Sequence, residues 1–172
     1  MNLQSDDFDL FGLARSFAQD RAALDAAWKA LQRQAHPDKF AAQGAAAQRL
    51  AMQWSVRINE AYQRLKDPVR RAAYLCELAG FPIAAHQNTA MPAAFLQRQM
   101  AWHEALDDAD SAEALHALAV QVRDQHDAML SQCAQQIDVS QDYPGAVQTV
   151  RALMFIDKFG QDLRARQHAL DA

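Results

Sequence analysis

The sequence predicts an all-α protein, and three observations support that class. Alanine, leucine, glutamine and arginine, which are good helix formers, dominate the composition. Runs of alternating Val, Ile and Thr, which are typical of strands, are missing. Apolar residues instead recur every three or four positions, as they do along one face of an α-helix. With only 5 Gly and 5 Pro among 172 residues, the chain is expected to fold rather than to be disordered.

The first half of the sequence predicts four helices. A short apolar helix is expected to follow the capping candidates at residues 5–7 and to stop near Gly12. Two longer helices are expected over residues 20–35, with Asp20 as the N-cap candidate, and over residues 45–66. Each carries an apolar stripe, which in the second of them begins at Leu50, and the short loop between them favours an antiparallel hairpin. A fourth helix is expected over residues 69–79, after a proline and before a glycine.

The second half predicts a three-helix bundle. Residues 80–92 contain two prolines, an asparagine and a threonine, and they form the best candidate boundary. Beyond them, helical periodicity extends over residues 93–106, 111–137 and 144–170. The predicted organisation is therefore an N-terminal domain over residues 1–79, a linker over residues 80–92 and a C-terminal bundle over residues 93–172.

The charges are divided unevenly between these two parts. The chain has 17 Lys and Arg against 21 Asp and Glu, which argues against a nucleic-acid coat protein. Up to residue 79 there are 11 basic and 9 acidic residues, whereas from residue 80 onward there are 6 and 12. Opposite net charges are what separate modules with different partners would carry.

The chain is expected to be cytoplasmic and not bound to a membrane. Its N-terminus has no basic region followed by an apolar run, and no stretch approaches 18 apolar residues. The two cysteines, Cys76 and Cys133, are too few and too far apart for a disulfide framework or a zinc knuckle, which fits a reducing compartment. Both lie on apolar stretches of helix and are expected to be packed thiols.

The most informative motif is His36-Pro37-Asp38, in the connection between the two helices of the predicted hairpin. Proline fixes its own φ and disfavours helix for the preceding residue, so both flanking side chains are presented on a stiff turn. Such a turn loses little entropy on binding, and its carboxylate can pair with an arginine across an interface. No candidate nucleophile or second base lies nearby in sequence, so docking is favoured over catalysis.

The context of this tripeptide resembles the J domain of DnaJ-type co-chaperones. A basic run at residues 29–35 precedes it, and the run at residues 67–74 resembles the helix that follows the hairpin in that family. The resemblance implies binding to the ATPase domain of a DnaK-type chaperone, whose ATP hydrolysis a J domain stimulates. The residues expected to bind the chaperone are His36, Pro37, Asp38, Lys29, Arg33 and Lys39, of which the three cations would steer the protein toward an acidic surface.

Over nearly the whole chain, the sequence resembles the bacterial form of the HscB family of iron–sulfur cluster assembly co-chaperones. The matching stretches are residues 8–13, 31–40, 94–96 and 155–158. The resemblance implies a J domain that engages the chaperone HscA and a C-terminal bundle that holds the cluster scaffold IscU. The residues expected to bind the scaffold are Leu96, Met100, Glu104, Asp108 and Phe155.

The scaffold face departs from the family pattern at two positions. Gln97 stands where the family has a hydrophobic residue, and Ala101 stands where it has an acidic one. The helical wheel places Leu96 and Met100 beside the core stripe of their helix, and such flanking residues either widen the core or form an exposed patch.

Other functions stay open from the residues alone. One alternative is a J protein with a different client, and another is a small helical metal-dependent enzyme. A nucleic-acid role is weaker, since the basic patch is small and the acidic bundle would repel phosphate. Neither a metal nor a cofactor is predicted, because the histidines beyond His36 are scattered without ligand spacing and read as surface residues. They are His86, His103, His116, His126 and His168.

Overall fold

The computed structural model describes residues 2–84 and 90–172, and all regular structure in those two stretches is helical. The central part of the predicted linker, including His86, lies outside the described residues. The chain divides into two compact units, Met1–Leu75 and Cys76–Ala172. This division falls inside a helix that begins in the first unit, whereas the sequence predicts a boundary at residues 80–92.

The first unit is a helical hairpin with short helices on either side. Its elements are α1 (Asp7–Phe11), α2 (Arg21–Ala35), a 3₁₀ helix (Pro37–Gln43), α3 (Ala45–Lys66) and the beginning of α4 (Pro68–Leu78). The predicted bounds of α2 and α3 are confirmed to within a residue, and so is the expected end of α1 at Gly12, which adopts a φ of 65°. The 3₁₀ helix was not expected from the sequence, which indicated a loop.

Side-chain caps explain where the first two helices begin. The Asp6 carboxylate accepts a hydrogen bond from the backbone N–H of Asp9, and Asp20 does the same for Ala22. Each bond satisfies one of the N–H groups that a helix leaves without a partner in its first turn. Capping by Asp20 is as the sequence predicts.

An ion-pair cluster joins α1 to α3 inside the first unit. The Asp7 side chain is fully buried, and its Oδ2 accepts a 2.9 Å hydrogen bond from Arg64. Arg57 lies 2.7 Å from Oδ1 as an ion pair that lacks hydrogen-bond alignment. The Asp7 N–H also donates to the Tyr74 hydroxyl of α4, at 3.0 Å. A buried carboxylate is tolerated here because two guanidinium groups compensate its charge.

The second unit is built around a three-helix bundle of α5 (Ala93–Asp108), α6 (Ala112–Ala134) and α7 (Tyr143–Asp171), with a π-helical turn (Gln135–Val139) after α6. Phe95 of α5 packs against Phe155 of α7, with ring centroids 6.1 Å apart, and one to two turns further along Trp102 packs against Phe159, with centroids 5.6 Å apart. The two helices are therefore parallel, and α6 returns between them. The predicted bundle is confirmed, although the π-helical turn was not expected.

The residues just after α4 pack against α7. Phe81 stacks on Tyr143 with ring centroids 5.9 Å apart. The buried Arg151 donates two hydrogen bonds to the Ile83 carbonyl, at 2.9 and 2.7 Å. A buried guanidinium needs hydrogen-bond acceptors, and the Ile83 carbonyl provides one. These contacts fix the first part of the predicted linker against α7.

The two cysteines are fully buried in this second unit. Burial raises the pKa of the Cys76 thiol to about 11 and that of the Cys133 thiol to about 12. At neutral pH both stay protonated and poor nucleophiles, which agrees with the expectation that they are packed thiols.

Candidate docking surfaces

The His-Pro-Asp turn lies on the surface at the start of the 3₁₀ helix. His36 is its N-cap, with the backbone N–H of Asp38 donating to the imidazole Nδ1 at 3.3 Å. Pro37 occupies the first helical position, where its missing N–H costs nothing. The side chains of His36 and Asp38 are 57% and 91% exposed. The turn thus holds an imidazole and a carboxylate side by side, and both are accessible to a partner.

The three predicted cations near the turn are all exposed. Lys29 and Arg33 lie on successive turns of α2, and Lys39 lies on the 3₁₀ helix directly after Asp38. Residues 26–59 contain five basic residues and only one acidic residue, so this end of the hairpin carries a positive charge. Exposed charges of one sign accelerate the encounter with an oppositely charged surface.

A polar network that the sequence did not predict fixes α2 against α3 close to this turn. Gln32 donates to the side-chain oxygen of Asn59 at 2.6 Å and accepts from the Ser55 hydroxyl at 3.0 Å. The Trp28 indole also donates to Asn59, at 3.0 Å. The network lies one helical turn before His36. Its signal in the sequence is a pair of residues with hydrogen-bonding side chains, four apart, on each helix.

On the second unit, the flanking hydrophobic residues form an exposed patch rather than a wider core. Leu96 is 47% exposed, Met100 67% and Phe155 44%. The Phe155 ring still packs against the buried Phe95, so part of its surface is held in place while the rest faces solvent. Exposed apolar residues on a fixed framework are typical of protein interaction sites.

An acidic stretch continues the row of Leu96 and Met100 along α5. Glu104 and Asp108 follow at four-residue intervals, and both are exposed, as are Gln97 and Ala101. All five residues of the predicted scaffold face are therefore accessible, with an apolar part and an acidic part. Met154, which precedes Phe155 on α7, is also exposed but lies about 100° away from it around the helix axis.

The histidines that the structure describes beyond His36 lie far apart in sequence and have different surroundings. Among residues 2–84 and 90–172, no group of three or more His, Cys, Asp or Glu is placed to hold a metal ion. His103 packs edge-on against Phe159. His126 lies 3.1 Å from the Asp157 carboxylate, and the hydrogen bond to that carboxylate raises the pKa of His126. In the same stretches, no helix has the length and apolar character needed to cross a bilayer.

Comparisons with known proteins extend over the whole chain. Residues 91–164 match the family described as the HSCB C-terminal oligomerisation domain. The chain is 46% identical over 174 residues to a co-chaperone protein HscB homolog of Burkholderia multivorans, with 99% of each chain covered. It is 48% identical over 163 residues to a protein of the same name from Bordetella avium, covering 94% of this chain and 97% of the relative.

Solved structures are similar over the same length. Chaperone HscB from Vibrio cholerae superposes with a TM-score of 0.84 at 33% identity, covering 96% of this chain and 99% of that one. Human co-chaperone protein HscB gives a TM-score of 0.93 at 24% identity, which shows a shared fold, over 99% of this chain and 86% of the human one. The predicted fold class, a J domain followed by a helical bundle, is thereby confirmed.

Proposed function

Since the chain belongs to the HscB family of co-chaperones, we propose that it brings an iron–sulfur cluster scaffold of the IscU type to a DnaK-type chaperone of the HscA type. In this role the protein is a cytoplasmic adaptor that stimulates ATP hydrolysis by the chaperone and catalyses no reaction itself. The observation that carries the proposal is an intact, exposed His-Pro-Asp turn on a chain similar to HscB over its full length.

The chaperone-binding surface comprises the turn and the cations around it. Asp38, the more exposed of the two polar residues of the turn, offers a carboxylate to an arginine or a backbone donor of the chaperone. Pro37 limits the entropy lost when the turn becomes immobile. Lys29, Arg33 and Lys39 provide the steering charge. The stimulating effect then depends on His36 and Asp38 being presented together.

The scaffold-binding surface comprises the exposed row on α5 and the neighbouring Phe155. Leu96, Met100 and Phe155 supply the apolar area that drives association once it is removed from water. Glu104 and Asp108 extend the surface with negative charge and favour a partner with basic residues at the matching place. Gln97 contributes a polar group and Ala101 a small one, so neither adds much apolar area to the surface. The apolar part of the binding energy therefore comes from Leu96, Met100 and Phe155.

Replacing Phe155 with alanine is expected to weaken scaffold binding about tenfold or more, since exposed aromatic anchors carry much of the energy of an interface. The far-UV circular dichroism should not change, because 44% of Phe155 is already solvent-exposed. Leu96→Ala is expected to act in the same direction. Isothermal titration of IscU-type scaffold into the full-length protein measures both effects.

Met154→Ala provides the matched control for this titration. Met154 is 37% exposed and adjacent in sequence to Phe155, but about 100° away around the helix axis. Its replacement is expected to leave scaffold affinity unchanged. Equal affinities for wild type, Phe155→Ala and Leu96→Ala would assign the client to a different surface.

A further inference from the structure

An apolar cleft opens at the end of the hairpin, directly beside the His-Pro-Asp turn. We call it the tip cleft. Its main lining residues come from the end of α2, the 3₁₀ helix and α3, and they are Ala35, Phe40, Ala47, Leu50, Ala51 and Trp54. Its volume is about 230 Å³. That is smaller than the roughly 300–1,000 Å³ of pockets for small molecules, and it suits one or two side chains.

The cleft exists because small residues lie between large ones. Ala35 and Ala51 are buried and form its floor, while Phe40 and Trp54 are half-buried walls. Leu50 is 49% exposed at its edge. The apolar stripe of α3 predicts a core position for Leu50, but α2 ends at Ala35 and has no further turn to cover it. An exposed leucine beside two aromatic walls offers an apolar group of a partner a place to be buried.

The tip cleft is continuous with the chaperone-binding turn. Ala35 directly precedes His36, and Phe40 belongs to the same 3₁₀ helix as Asp38. A molecule that contacts the exposed His36 and Asp38 side chains therefore approaches the chain next to the cleft. The turn and one wall of the cleft therefore belong to the same short helix.

The charges around the cleft indicate the chemistry of its occupant. Arg33, Lys39 and Arg49 are all exposed, and they directly precede Gln34, Phe40 and Leu50, each of which lines the cleft. The lining residues include no acid, and the nearest carboxylate in sequence is the functional Asp38. An apolar pocket on a part of the hairpin that is rich in exposed cations is complementary to an apolar residue flanked by Asp or Glu.

We propose that the tip cleft binds an apolar side chain from an acidic segment of the same DnaK-type chaperone that engages the His-Pro-Asp turn. This inference rests on the proposed function and adds a second, apolar contact to it. The cleft supplies affinity for the chaperone, whereas His36 and Asp38 supply the stimulation. The two contributions are therefore separable in a kinetic experiment.

The test measures ATP hydrolysis by an HscA-type chaperone while the full-length protein is titrated. Leu50→Gln is expected to raise the half-saturating concentration about tenfold, because the apolar edge of the cleft is lost. The maximal rate should stay at the wild-type level. Ala47→Leu, which narrows the cleft with a good helix former, is expected to shift the half-saturating concentration in the same direction.

Met52→Gln is the matched control, since Met52 is 56% exposed on the same helix and does not line the cleft. Its titration curve is expected to coincide with that of wild type. If Leu50→Gln and Ala47→Leu also coincide with wild type, the cleft plays no part in binding. If wild-type protein self-associates in sedimentation and Leu50→Gln abolishes this, the occupant is a second copy and the proposal is wrong.

His36→Gln separates this inference from the proposed function. Suppose that wild type stimulates the chaperone, that His36→Gln does not, and that Leu50→Gln gives the wild-type titration curve. This result would overturn the proposal for the tip cleft and leave the proposed function intact. A chaperone whose ATP hydrolysis does not respond to wild-type protein at any concentration would overturn the proposed function, and with it the inference that rests on it.

Discussion

Replacing His36 with glutamine is expected to reduce the stimulation of chaperone ATP hydrolysis to less than about a tenth of the wild-type value, which corresponds to at least about 1.4 kcal/mol in the activation free energy of hydrolysis. The imidazole Nδ1 accepts the Asp38 N–H and caps the 3₁₀ helix. Glutamine replaces a rigid ring with a flexible chain, so that both the cap and the fixed presentation of the Asp38 carboxylate are weakened. Steady-state ATP turnover, measured at saturating co-chaperone, reports the effect.

The fold should tolerate this substitution, because the His36 side chain is more than half exposed and its hydrogen bond is local. Thermal unfolding and scaffold affinity are therefore expected to match wild type. His168→Gln, which changes an exposed histidine near the end of α7, is the matched control and should stimulate normally. Full stimulation by His36→Gln would show that the turn does not act as a J-domain motif.

Replacing Asp7 with alanine is expected to have the largest effect on stability, lowering the free energy of unfolding by about 3 kcal/mol. The substitution removes a fully buried carboxylate that pairs with Arg57 and Arg64. Two guanidinium groups then face each other without a counter-charge, and a small cavity is left beneath α1. Urea unfolding followed by far-UV circular dichroism measures the change.

Asp9→Ala is the matched control on the same short helix. The Asp9 side chain is 61% exposed and makes one long contact to Arg15, at 3.5 Å. Its loss is expected to change the free energy of unfolding by less than about 0.5 kcal/mol. Equal urea midpoints for Asp7→Ala and Asp9→Ala would mean that the buried cluster does not stabilise the first unit.

The sequence could predict several helix ends because each of these ends has a local cause. Asp6 and Asp20 act as caps through their own side chains, Gly12 adopts a positive φ, and Pro68 begins α4. Long apolar stripes add a signal that repeats over many turns. The His-Pro-Asp turn was equally accessible to prediction, since a proline between two periodic segments marks a connection whatever the rest of the fold does.

The features that the sequence did not predict depend on contacts between distant residues. The Gln32 network needs Asn59 on the facing helix, and the buried position of Asp7 needs two arginines that lie fifty or more residues away in sequence. Leu50 belongs to an unbroken apolar stripe, and only the end of α2 at Ala35 leaves it exposed. Periodicity describes one helix at a time and carries no information on where its neighbour stops.

The central claim, that one molecule connects scaffold and chaperone, is tested most directly by mixing two variants with complementary defects. His36→Gln keeps the scaffold-binding surface, and Phe155→Ala keeps the chaperone-binding turn. Chaperone ATP turnover is measured with subsaturating scaffold and with wild type, each variant, or an equimolar mixture of both. We predict that wild type gives a scaffold-dependent increase that the mixture does not restore. A mixture as effective as wild type would contradict the claim, because the two functions would then not need to reside on one chain.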